Sequence, residues 1–125
     1  MSLRLLLDEN ISPVVATQLR GKDESIAIES IFTWQGGSFV GATDPVLLAE
    51  LHQDKRTLLT YDTQMLSEWS ELFSGEIPFS GVVFIDNRTI PSYDFGGLVR
   101  AVAAFWELEK EADWTNRIAF LSPSP

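Results

Sequence analysis

The side chains best able to do chemistry in this chain are carboxylates. Its 125 residues include no cysteine and one histidine, His52. Disulfides, thiolate zinc or iron–sulfur sites, a cysteine nucleophile and a multi-histidine metal site are therefore excluded. Oxygen chemistry remains, and clustered Asp and Glu suit hard cations such as Mg²⁺ or Mn²⁺. A dication held by carboxylates lowers the pKa of bound water and neutralises charge developing on a phosphoryl oxygen. Four motifs put acids where such a site is built: LLLDEN with Asp8, Glu9 and Asn10, TDP with Asp44, LLTYD with Asp62, and FID with Asp86.

Each motif closes or opens an element. Leu3 to Leu7 reads as a buried strand, and Ser12-Pro13 opens a helix that Gly21 is expected to end. Ser25 to Ile31 reads as a second strand, and the glycine-rich stretch Thr33 to Thr43 as a loop. Thr43-Asp44-Pro45 starts a second helix that runs to about Asp54. Arg56 to Thr60 is a third strand, and Thr63 to Phe73 a third helix with Leu66, Trp69, Leu72 and Phe73 on one side. Gly81 to Ile85 is a fourth strand, and Tyr93 to Ala112 the longest helix. Arg117 to Leu121 reads as a last strand before a Ser-Pro tail, with residues 119–125 expected to be partly frayed. Alternating strands and helices predict one α/β domain over residues 1–125, a three-layer α/β/α fold with a mainly parallel sheet and right-handed crossovers.

In such sheets ligands bind beyond the carboxyl ends of the strands. Asp8 and Glu9 follow the first strand, Asp62 the third and Asp86 the fourth, while Asp44 opens the helix after the second. Like charges brought together oppose folding unless a cation offsets them. Asp8 is not needed as a cap, because Ser12 caps the next helix. Asp62 has a structural alternative as a helix cap, shared with Thr63. Asp44 is the most ambiguous, since Asp-Pro is also a plain helix start. Glu9 and Asp86 are secondary metal-ligand candidates, and Asn10 is a candidate donor to substrate phosphate. Glu50 and His52 read as surface residues. Trp34 and Phe39 serve either base stacking or core packing, and the pattern does not separate the two. Trp69, Phe73, Trp106 and Trp114 read mainly as core.

The net charge of −9 lies against tight, unaided binding to nucleic acid and leaves room for a basic partner. No run reaches the roughly 20 apolar residues of a membrane span, and the N-terminus lacks a signal-peptide pattern, so a cytoplasmic location is expected.

LLLDENISPVVATQLR, ATDPVLLAEL and RTLLTYDTQML together resemble the short PIN-like family of predicted nucleases, often encoded as toxins beside small antitoxin proteins. The resemblance covers roughly residues 3–85. It implies a PIN-like fold and an Mg²⁺- or Mn²⁺-dependent ribonuclease, with RNA as substrate and an antitoxin as partner. It also implies that Asp8, Asp44 and Asp62 are the acidic site and Thr60 a catalytic-site threonine. The chain departs from the pattern at Tyr61, where the family has Arg or a related residue. Gln64 and Met65 stand where a second acid and an aromatic are common. Two other readings are open: an inactive PIN-like module kept for a protein partner, and a phosphoacceptor receiver domain. The receiver chemistry needs Ser or Thr after the fourth strand and Lys after the fifth, where this chain has Asp86-Asn87 and Leu121-Ser122. A homodimer is also open.

Overall fold

The apolar runs form the strands of one sheet in the computed structural model, which describes residues 2–124. In chain order the elements are β1 (Leu5–Leu7), α1 (Val14–Lys22), β2 (Ile28–Ser30), α2 (Asp44–Gln53), β3 (Thr57–Thr60), α3 (Met65–Glu68), β4 (Val82–Phe84), α4 (Phe95–Glu109) and β5 (Ile118–Phe120). All five strands are parallel, in the order β2-β1-β3-β4-β5. The fold is α/β in three layers, with a sheet more uniformly parallel than the expected mainly parallel one.

Alternation along the strands divides the core. Leu5, Leu7, Leu59 and Val83 face a layer built from α1 and α4, with Val15, Leu19, Leu98, Val102 and Trp106. Leu6, Leu58, Val82 and Phe84 face the opposite layer, where Leu47, Leu48 and Leu51 of α2 and Met65 of α3 cover them. A strand buried on both faces must be apolar at every position, which is why these strands read as continuous runs.

The connections through α1, α2 and α3 share one hand, the right-handed one by the near-universal rule for parallel crossovers. The connection from β4 to β5 breaks the expectation. It steps in the same direction across the sheet as the α2 and α3 connections, yet α4 lies on the α1 face, so this crossover has the opposite hand. The broad apolar face of α4 packs against α1, and Lys110 at its end accepts the Leu3 N–H at 2.8 Å, tying it to the foot of β1. Asp94 caps its start by accepting the Gly97 N–H at 2.9 Å.

Several boundaries shift from the sequence expectation. α1 runs through Gly21 to Lys22 and stops at Asp23, whose carboxylate takes the Ser25 N–H and hydroxyl and turns the chain. The expected third helix survives as the single turn α3 followed by a 3-10 turn at Ser70–Phe73. Trp69 and Phe73, four apart, would share one face of a straight helix. Here the helix ends at Trp69, whose side chain approaches Asp44, and Phe73 beyond the break packs edge-on to Phe79 at 5.2 Å. Ser67, Ser70, Ser74 and Gly75 offer little resistance to the break. β5 falls inside the expected strand Arg117–Leu121 and overlaps the stretch 119–125 expected to fray, where Leu121 is buried; Pro125 lies outside the described residues. Trp106 and Trp114 are core, as read, but Trp69 is exposed and Phe73 only half-buried. Among the described residues no helix is long and apolar enough to cross a membrane.

Candidate functional site at the carboxyl edge

The strand order reverses at β1. From there α1 leaves to one face and α2 arrives on the other, which opens a crevice beyond the carboxyl ends of β1 and β3. Asp8, Glu9, Asn10, Asp44 and Asp62 line a cleft of about 350 Å³ there, with Ile31, Phe39, Ala42 and Leu47 as its apolar walls. No Lys or Arg lines it. The three aspartates expected to form the site therefore share one cleft.

A hydrogen-bond network pins its floor. The Asp8 N–H bonds the Leu59 carbonyl at 3.0 Å, which splices the end of β1 to β3. Thr60 Oγ1 accepts from Asn10 Nδ2 at 3.3 Å and from the Asp62 N–H at 3.0 Å. With both lone pairs engaged, its own proton goes to Asp8 Oδ2 at 2.7 Å. The Glu9 N–H meets Asp8 Oδ1 at 2.8 Å, so both oxygens of Asp8 are acceptors and its orientation is set. Thr60 is fully buried and its hydroxyl is saturated. Its contact orients the Asp8 carboxylate, as expected of a threonine that positions a site acid. Asn10 is likewise a brace: its Oδ1 accepts the Tyr61 N–H at 3.2 Å, leaving one amide hydrogen for a ligand.

Charge is balanced against folding in this cleft. Burial pushes the Asp8 carboxyl up, the Thr60 and Glu9 hydrogen bonds pull it down, and the charges of Glu9 and Asp62 push it up again; the net shift is upward. Burial also raises Asp44, reinforced by Asp62 and Asp8, against a hydrogen bond from the Trp69 side chain, with Glu68 adding to the rise. Asp8 and Asp44 are thus each held where neighbouring acids make ionisation harder.

The secondary candidates separate. Glu9 stands at the rim and its Oε2 accepts the Gly41 N–H at 3.0 Å, latching the glycine loop to the cleft. Asp86 is not in the cleft. It lies in a neighbouring depression and takes the Arg88 guanidinium at 2.9 and 3.1 Å, which lowers its pKa. A carboxylate neutralised by an arginine two residues away is poorly placed as a metal ligand. Trp34 is core, with its indole on Asp54 at 2.9 Å, while Phe39 packs on Trp34 and lines the cleft. Glu50 meets Gln35 at 3.4 Å. His52 is half-buried rather than a surface residue, with Nδ1 2.8 Å from Ser80 Oγ. Glu68 and Trp69 escaped the sequence reading, because a full helix over residues 63–73 hides that they approach Asp44.

The donor set consists of carboxylate oxygens and suits a hard dication. The carboxylates line the cleft without closing around a point: among the described residues no group of three or more His, Asp or Glu stands ready to hold a metal ion. An ion held here would keep part of its water shell, as Mg²⁺ prefers. No family model matches the chain, and no curated protein or solved structure matches it, so what the cleft can do is inferred from its own residues.

Proposed function

We propose that this chain is a PIN-like, Mg²⁺- or Mn²⁺-dependent endoribonuclease, acting as the toxin of a toxin–antitoxin pair. The observation that carries the metal site is the convergence of Asp8, Asp44 and Asp62 on one crevice with no basic side chain among its lining. Repulsion of this kind persists in a fold chiefly where a ligand offsets it. A bound dication supplies an acidified water and neutralises charge on a phosphoryl oxygen. Asp8, Asp44 and Asp62 would hold it, with Thr60 fixing Asp8. The remaining amide hydrogen of Asn10 is available to a phosphate oxygen, and Phe39 presents an apolar wall to a base.

A second reading, an inactive PIN-like module kept for a protein partner, is favoured by the open arrangement of the carboxylates and by the charge of −9. The receiver reading gains the strand order, which is that of flavodoxin-type sheets. It still lacks the hydroxyl and lysine its chemistry requires.

Calorimetric titration with Mn²⁺, of the natural chain and of an Asp8→Asn, Asp62→Asn double variant, separates the readings. Binding to the natural chain alone supports the nuclease and leads to an RNA-cleavage assay. Absence of binding to either moves the conclusion to the partner module.

A further inference from the structure

The opposite hand of the last crossover has a consequence far from the cleft. With α4 on the α1 face, nothing helical covers β5 on the α2 face. Only the connection between β3 and β4 passes that way, and its helical part is one turn and a 3-10 turn. Ile118 and Phe120 are the register partners of Val82 and Phe84 and share their face. Yet Val82 and Phe84 are fully buried, whereas Ile118 is 40% and Phe120 54% exposed. Phe120 extends the core ring of Phe84 outward at 5.7 Å between centroids. Ile77, 60% exposed, stands two residues before Phe79, which exchanges hydrogen bonds with Asn116 at the foot of β5. An apolar strip thus continues the core to the sheet edge and ends in water.

The connection that passes beside it is acidic, while the arginines nearest β5, Arg88 and Arg117, are paired with Asp86 and Glu109. Residues 61–81 carry Asp62, Glu68, Glu71 and Glu76 and no Lys, Arg or His. Glu71 and Glu76 are exposed, and neither enters an ion pair among the described residues. A second copy would bring the same glutamates together on a molecule already at −9. RNA and anionic membranes would meet the same repulsion. β5 spans three residues, too short an edge to hold a partner by strand pairing alone. The absent element is a helical layer, and an amphipathic helix lays its apolar stripe into such a place.

We propose that the α2-side face of β5, formed by Ile118 and Phe120 with Ile77, docks a lysine- or arginine-rich amphipathic helix of another protein. The apolar stripe covers these three side chains and the basic flank meets Glu71 and Glu76. The surface is independent of the acidic cleft and of the nuclease reading.

The test is an NMR titration of the isotope-labelled full chain with a synthetic Leu/Lys amphipathic helix of roughly 18 residues, five turns. Amide shifts should concentrate at residues 76–79 and 117–121. Ile118→Ser with Phe120→Ser, both at exposed positions, should weaken binding by about tenfold or more. Glu71→Gln with Glu76→Gln should weaken it by less, and that difference should shrink in high salt. A Leu/Glu helix of the same pattern should not bind. Shifts elsewhere, or equal affinity in the serine variant, overturn the proposal. So does sedimentation that shows self-association of the natural chain lost on Phe120→Ser, or an RNA oligonucleotide that shifts these same amides.

Discussion

At the amino-terminal end of the sheet Asp54 receives Arg56 Nε at 2.7 Å and the Trp34 indole at 2.9 Å, and stands 3.4 Å from Arg4. At the carboxyl-terminal end Asp8, Asp44 and Asp62 share a cleft with no such partner in its lining. Burial alone would raise Asp54. Hydrogen bonds from Arg56 and Trp34, and the charges of Arg4 and Arg56, outweigh it and leave its pKa lowered. At the other end burial and neighbouring acids act in the same direction, and Asp8 and Asp44 are raised. One residue type is bound into the fold in the first place and set against it in the second. An acid matched to guanidinium needs no function to explain it. Acids gathered without a basic partner cost stability, and that cost is the ground for proposing a site.

The sharpest break in this comparison is Asp8→Asn. Metal-dependent cleavage of RNA should vanish while the far-ultraviolet circular dichroism stays unchanged; full activity in both this variant and Asp62→Asn would end the nuclease reading. Thr60→Val should cost about 10- to 100-fold in activity, the range for a group that orients a ligand without touching the metal. It should also cost about 1–3 kcal/mol of stability in urea titration, because Asn10 Nδ2 and the Asp62 N–H lose their acceptor.

Asp54→Ala should lose about 1–2 kcal/mol of stability, discounted because Asp54 is one-third exposed, and should leave Mn²⁺ affinity alone. The smallest effect belongs to Asp44→Asn, a gain of a few tenths of a kcal/mol at neutral pH, since solvent screens much of the repulsion and the helix start favours an acid.

These last two variants should respond to pH in opposite directions. The folded chain keeps the Asp44 proton to higher pH than the unfolded chain does. Stability therefore falls as pH rises from the ordinary value of 3.8 through the raised one, and the penalty is complete above it. Relief by Asp44→Asn should fade on acidification. Asp54 releases its proton early in the folded chain, so its contribution is present above 3.8 and is lost as pH falls through the lowered value. The deficit of Asp54→Ala should therefore also close in acid, but from the destabilised side. Melting curves across the acidic range distinguish the two.

Local pattern was sufficient for much of this molecule. Apolar runs such as LLL and VVF, bounded by turn residues, read as strands buried on both faces, and the segments between them have helical spacing. A parallel α/β fold with Asp8 and Asp62 at strand ends follows from the chain alone, because run length and periodicity depend on near neighbours. The pairing of Asp86 with Arg88, two residues away, is equally local. Tertiary structure decided the rest. The break of the third helix at Trp69 and the approach of Glu68 and Trp69 to Asp44 show only in the folded chain, and the saturation of Thr60 needs partners that follow both β1 and β3. The hand of the last crossover is set by which face α4 packs against, and α4 packs beside α1. These outcomes turn on which distant surfaces meet, and a sequence states propensities one segment at a time.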